Sequence, residues 1–366
     1  MKDEILIIGI STRCEAESAI EAGYKIKTID YFGDLDQKRL CKNISLKEEF
    51  SLEKLPPKRF FEVASNLDFD FLCYCSYFEN HPDVVERFEK RCEVLGNSSK
   101  TLRAIRNWRK FFRFLRKEGI KFPETLFDIH DVPEGFLAKP LTGGGGVKVG
   151  FEALNEEFMV QKYIKGIPCS VSFLADGENS KLVSLNLQLI GDERFGARDF
   201  WWCGNVTPFK VESENVEEIE RICEKLTRKF ELKGSNGIDF ILADDIYILE
   251  VNPRFQGTVD IVERAFGINI FELHTKAFQG ELPERDFHAK KVWGKAILYS
   301  KEDVVMPDTG KWLNLKWVKD IPFPQEKILR DYPICSVLAS GKKEKEVFQR
   351  LVGRGNKIRD FISSQL

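Results

Sequence analysis

The chain has 366 residues, 43% hydrophobic and 31% charged, enough for two or three domains with sizeable cores. Its net charge of −2 excludes a global attraction to nucleic acid or to an anionic membrane. No apolar run reaches the ~18 residues of a membrane span, and the first one is too short for a signal-peptide core, so a cytoplasmic protein is expected.

In chain order, "EILIIGI" reads as a buried parallel strand, "TRCEAESAIEAG" as a helix stopped by Gly23, and "YKIKTID" as the next strand. "FDFLCYCS" reads as another strand, and "PDVVERFEKRCEVLG" as a helix closed by Gly96. These elements predict a small doubly wound α/β domain over residues 1–98. "GISTRCEAESA" is not G-x-G-x-x-G, so no dinucleotide site is expected there.

From Ser98 the composition turns basic. "KTLRAIRNWRKFFRFLRKEG" predicts one helical stretch ended by Gly119, with either a solvated basic face or a face turned to a polyanion. "FLAKPLTGGGGVKVGF" predicts a hairpin whose tip is four glycines, and "EFMVQKYIKG" a strand leading into a turn. "CSVSFLADGENSKLVSLNLQLI" predicts two antiparallel strands joined at Asp176-Gly177. "SENVEEIERICEKLTRKF" is an amphipathic helix with Val216, Ile219, Ile222, Cys223, Leu226 and Phe230 on one stripe. The last part alternates short strands with Pro and Gly and finishes on a helix.

Nine cysteines without paired C-x-x-C motifs predict buried thiols in a reducing compartment. His81, His130, His274 and His288 form no zinc-binding pattern, and His274 reads as a packing residue on a helix.

The stretch "GIDFILADDIYILEVNP" carries the chemistry. If Asp244 and Asp245 form a two-residue turn, Ala243 pairs with Ile246 and Asp239 faces Glu250, with Asn252 on the adjacent diagonal. Opposed carboxylates repel unless a cation lies between them. Two carboxylates and an amide oxygen suit Mg²⁺ or Mn²⁺; the bland alternative is a solvated polar face. Gly143, Gly144, Gly145 and Gly146, flanked by Lys139 and Lys148, can wrap phosphate oxygens with backbone N–H groups. The spacing fits neither a Walker A loop nor a dinucleotide or kinase loop, which leaves a flexible flap over phosphates between two strands, or simply a mobile hairpin tip. In "ERFGARDFWWCGN", Arg194 or Arg198 could hold a substrate carboxylate as a bidentate pair.

Together "FLAKP", "TGGGGVKV", "VQKYIKGIPCSVSFLADG" and "GIDFILADDIYILEVNPRFQGT" resemble the ATP-grasp superfamily, and are most similar to its group of predicted ATP-dependent carboligases of archaea and bacteria. The resemblance covers most of the chain. It implies an ATP-grasp fold: a Rossmann-like α/β domain at 1–98, a two-lobed domain at 99–288 split near 160–166, and a β-rich domain at 289–366 ending in a helix. It implies that Lys139 contacts the α- and β-phosphates and that Gly143 to Gly146 close over the β- and γ-phosphates. Gln161, Lys162, Tyr163 and Ile164 would hold the adenine edge by their backbone. Asp239, Glu250 and Asn252 would bind Mg²⁺, and Arg254 would face the γ-phosphate and an acyl phosphate. Gln256 and Gly257 lie where such enzymes often contact the acceptor.

The chain departs from that pattern in two places. The earlier phosphate-binding lysine falls near Trp108, Arg109 and Lys110, and the ribose-binding glutamate is replaced by Ile167-Pro168-Cys169. The implied activity is an ADP-forming ligase joining a small-molecule carboxylate to an amine or other nucleophile. The alternatives are a small-molecule kinase on the same scaffold and a regulatory protein that binds ATP without chemistry. No nucleic-acid or membrane partner is expected, and a homodimer is a common arrangement for such chains.

Overall fold

The structure is a computed structural model that describes residues 4–50 and 55–364. Its first layer is a five-stranded parallel sheet. The strand order is Lys42–Ser45, Lys25–Asp30, Glu4–Ile8, Phe71–Tyr74 and Glu93–Leu95. The central strand is apolar on both sides because both faces are covered. Leu6 and Ile8 pack with Phe60, Phe78 and Phe88. Ile5 and Ile7 pack with Phe255 of a loop and with Phe266 and Phe271 of the later helices Val259–Phe266 and Ile270–Phe278.

Two expectations change here. The helix expected over "PDVVERFEKRCEVLG" ends at Glu89, and Glu93–Leu95 forms the fifth strand. Gly96 does not stop that helix: a Cβ there would stand 2.4 Å from the Tyr74 ring, so it is a point of close approach. The basic stretch is two helices, Ser99–Arg106 and Trp108–Lys117, parted at Asn107. The Asn107 side chain accepts from Lys110 N–H and caps the second helix. Leu102, Ile105, Trp108, Phe111, Phe112 and Leu115 are buried beneath the charged face.

A three-stranded sheet follows, in the order Thr125–Leu126, Phe158–Lys162, Phe136–Pro140. The glycine segment is not a two-stranded hairpin. Its return arm makes a single bridge, Gly150 to Ala138, because Gly143, Gly145, Gly146 and Lys148 all take positive φ and turn the chain.

The large antiparallel sheet has eight strands: Ile246–Asn252, Lys233–Leu242, Ile167–Asp176, Ser180–Ile190, Trp202–Thr207, Val292–Tyr299, Pro333–Gly341 and Val318–Lys319. Strands from the last part of the chain thus continue the sheet of the middle part. One face buries Val171, Phe173, Ile238 and Phe240 with Ile219, Ile222 and Leu226 of the Ser213–Phe230 helix, as its stripe predicts. The joints between regions are partly ionic. The fully buried Arg13 guanidinium donates to Asp320 at 2.7 Å, Glu17 at 2.8 Å and Asp260 at 3.0 Å. Lys295 adds an ion pair to Asp260 at 3.5 Å. All nine cysteines are free thiols. No helix among the described residues is long and apolar enough to cross a membrane.

Candidate active site

The carboxylate hairpin reaches the expected register by a different route. The turn is Ala243 to Asp245, with Leu242 opposite Ile246. That alone would shift every later pair by one residue. A β-bulge between Asp239 and Phe240 takes up the shift, so Asp239 does face Glu250 and Gly237 faces Asn252.

Asp239 accepts from Gln188 Nε2 and from Asn252 Nδ2, each at 2.9 Å. Burial, and then the charge of Glu250, push its carboxyl up to about 7. Burial also opposes the Glu250 carboxylate, but Lys139, Arg106 and Arg254 outweigh it and hold it at about 2. Lys139 Nζ lies 2.9 Å from Glu250 Oε2. The donor set fits a divalent cation. Two opposed carboxylates and an amide converge on one face, and burial beside the Glu250 charge makes Asp239 hold its proton. Among the described residues no group of three or more His, Cys, Asp or Glu side chains is placed to hold a metal ion, and this set has only two carboxylates beside its amide.

Lys139 comes from the small sheet and Glu250 from the large one, so the two sheets enclose the site between them. Trp108 forms an apolar floor under two cations, with Lys139 Nζ 5.7 Å and Arg106 5.3 Å from its ring. Its indole N–H donates to Leu141 O at the start of the glycine loop. Of the basic residues in this stretch, Arg106 is the one that reaches inward. It donates to Asn80 Oδ1 and to Val251 O, both at 3.1 Å. Arg109 instead pairs with Asp128 on the surface.

Arg254 donates to Asn252 Oδ1 at 3.3 Å, to Phe255 O at 2.9 Å, and to Glu79 Oε1 at 2.7 Å. Glu79 and Asn80 belong to the first layer, on the 3₁₀ turn Phe78–Asn80. Asn80 Nδ2 also donates to Gly143 O at 3.0 Å. On its other side the glycine loop is held by Trp202 N–H, which donates to Gly145 O at 2.9 Å. Gly146 adopts φ +71°, and a Cβ there would stand 1.8 Å from Phe200 O. The loop expected as a free flap is therefore pinned on two sides.

Other expected residues have different surroundings. Gln161 is buried and donates to Thr125 Oγ1, while the N–H groups of Lys162 and Tyr163 donate to Glu124 O and Gly135 O. Those two N–H groups are thus committed to neighbouring backbone, while Ile164 follows at the strand end. The exposed Tyr163 ring packs edge-on against Phe151 and Phe200. Arg194 is held bidentately by Asp192, and Arg198 pairs with Asp331 at 2.8 Å; their side chains remain 59% and 53% exposed. Gln256 donates to Asn252 O and Arg254 O, and a Cβ on Gly257 would stand 2.6 Å from the Trp202 ring. Both shape the loop after the carboxylate strand. His274 is a packing residue as expected: Nδ1 accepts from Ser235 N–H at 2.8 Å, Nε2 meets Leu95 O at 3.1 Å, and burial lowers its pKa to about 4.

Sequence reasoning missed Glu79, Asn80, Arg106 and Gln188. Gln188 had a usable signal, since it lies on an alternating strand that the fold places two strands from Asp239. Glu79 and Asn80 had none, because nothing in their own segment marks the partner.

Residues 105–258 match the ATP-grasp domain family, a span that contains Lys139, the glycine loop, both carboxylates and Arg254. An uncharacterized protein of Methanocaldococcus jannaschii is 26% identical over 366 residues, covering 91% of this chain and 87% of the relative. The tyramine–L-glutamate ligase of Methanocaldococcus fervens is 29% identical over 182 residues, covering 49% of this chain and 55% of that enzyme. The crystal structure of L-amino acid ligase from Bacillus licheniformis shares the fold, with a TM-score of 0.69 and 16% identity over 98% of each chain.

Proposed function

From the ATP-grasp domain that residues 105–258 form, we propose that this protein is an ADP-forming ligase that joins a small-molecule carboxylate to a nucleophile. The observation that carries this reading is the facing pair Asp239 and Glu250, with Lys139 reaching it from the opposite sheet. ATP would lie between the two lobes of 99–288, parted near 160–166, with its triphosphate along Lys139, Arg106 and the glycine loop. Asp239, Glu250 and Asn252 would hold Mg²⁺ or Mn²⁺, which when bound neutralises charge on the transferred phosphoryl group.

The chain's own residues supply position and charge. Lys139 and Arg254 draw the substrate carboxylate and the γ-phosphate together. The carboxylate oxygen attacks phosphorus and ADP departs. The acyl phosphate then loses phosphate to the nucleophile. The pinned glycine loop covers the phosphates and keeps water from the acyl phosphate. The free cysteines fit a reducing cytoplasm. A homodimer is the assembly we propose.

The test is ADP release across a panel of carboxylates and amines with Mg²⁺, with products identified by mass. ADP that requires both a carboxylate and an amine supports the ligase. ADP with a carboxylate or alcohol alone, and a stable phosphorylated product, would make it a kinase. ATP binding with no turnover across the panel would favour a regulatory protein.

A further inference from the structure

We propose that Glu79 is the binding site for the acceptor, and that the acceptor is a primary amine entering as its ammonium; this rests on the ligase reading above. Glu79 is 2% exposed and projects from the first layer, where Tyr77 turns the chain at φ +96°. Its Oε1 accepts from Arg254 Nε at 2.7 Å, and Arg106 Nη2 stands 4.0 Å away. Its Oε2 is buried and has no hydrogen-bond partner among the described residues. A buried, unsatisfied carboxylate oxygen is unfavourable unless some donor comes to it.

The neighbouring cations are committed elsewhere. Arg254 also serves Asn252 and Phe255, and Arg106 serves Asn80 and Val251. None of these groups reaches Oε2, which leaves that oxygen free to accept from a bound molecule. The position is right for an acceptor. Arg254 links Glu79 to Asn252 of the carboxylate hairpin, and Asn80 beside it holds the glycine loop. Glu79 therefore lies at the γ-phosphate end, where the acyl phosphate must be attacked. A free carboxylate oxygen there can accept from an ammonium N–H, a donor that a thiolate or a second carboxylate lacks.

The step balances as follows. One ammonium proton passes to Glu79 Oε2, which holds it until the products leave, freeing the nitrogen lone pair. The nitrogen forms the C–N bond to the acyl carbon, and the C–O bond to phosphate breaks with its electron pair on phosphate. The second proton leaves nitrogen for that phosphate.

The experiment compares two nucleophiles on the full chain with Mg²⁺-ATP and a panel of L-amino acids and dicarboxylates as carboxylates. Hydroxylamine is uncharged near neutral pH and traps the acyl phosphate without an ammonium. Primary amines need the carboxylate. For Glu79→Gln we expect amide formation to fall by about a hundredfold or more, chiefly through a raised KM for the amine, while hydroxamate formation falls by less than about tenfold. Glu79→Asp should recover part of the amide rate. Should Glu79→Gln not fold, Glu79→Asp against wild type gives the same comparison. Equal losses with both nucleophiles would reduce Glu79 to a support for Arg254 and overturn the proposal. So would a wild type that uses thiols and no amine. A wild type that releases no ADP with hydroxylamine and any carboxylate would instead remove the ligase reading, and this proposal with it.

Discussion

The Lys139 ammonium stands 2.9 Å from the Glu250 carboxylate, across the gap between the two sheets. It partly fills the place of a cation that two opposed carboxylates require. Replacing it should therefore act in opposite directions on metal and on nucleotide. Lys139→Ala is expected to lower kcat/KM for ATP by roughly 10²–10³-fold, the usual loss of a positioned charge in a phosphoryl-transfer site. The same variant should bind Mn²⁺ more tightly without nucleotide, because the competing ammonium is gone. Steady-state kinetics and Mn²⁺ electron paramagnetic resonance read the two effects. Unchanged ATP kinetics would place Lys139 outside the site.

The raised Asp239 carboxyl gives a pH dependence with a definite sign. It keeps its proton up to about 7, through burial and then the charge of Glu250. A metal ion must displace that proton, so metal-dependent ATP binding should weaken as pH falls through about 7. The limiting slope is about tenfold per pH unit. Glu250 is ionised throughout this range. Without metal the sign reverses: the folded state holds a proton that the unfolded chain has released, so stability declines as pH climbs from the ordinary carboxylate range to about 7. Calorimetry of ATP binding between mildly acidic and mildly basic pH checks the first slope, and Asp239→Asn should flatten it.

Two glycine-loop positions, two residues apart, should differ sharply. At Gly146 a Cβ would collide with Phe200 O, and φ is +71°. At Gly144 nothing lies within 4 Å and φ is ordinary. Gly146→Ala should cost about 1–3 kcal/mol of loop closure, seen as a ten- to hundredfold rise in KM for ATP. Gly144→Ala should stay close to wild type. Similar KM values for the two variants would mean that the pinned loop is not the form that binds nucleotide.

The buried Arg13 network predicts a stability effect away from the phosphates. Removing Arg13 leaves Asp320 and Asp260 with less compensating charge in the interior. Arg13→Ala should destabilise by about 3–5 kcal/mol. The exposed Arg228–Glu224 pair is a control, and Arg228→Ala should cost about 0.5 kcal/mol or less. Urea unfolding separates these magnitudes.

Local pattern made much of this legible. The apolar run Ile5–Ile8 and the stripe of the Ser213–Phe230 helix follow from periodicity. The hairpin also shows how a right register can arise from a wrong turn. A three-residue turn and a bulge offset one another, and both depend on backbone hydrogen bonding that side-chain patterning does not encode. Gly96 and the end of the preceding helix were misread because Gly96 answers to Tyr74, a neighbour in space only. The pairing of Arg198 with Asp331 could not be read from its own segment, because Asp331 lies far along the chain. Glu79 and Arg106 were hidden for the same reason. Each acquires meaning from the other layer, and no spacing within either segment records it.

The Phe78–Asn80 turn has a consequence for how this chain can be divided. Three of its contacts, to Arg106, Gly143 and Arg254, reach into the stretch that matches the ATP-grasp domain. That stretch is therefore not a portable cassette. Transplanted onto a different first layer it would keep its carboxylates and lose the groups that steady its loop and its arginines, so any recombination of such chains must carry this three-residue turn across with it.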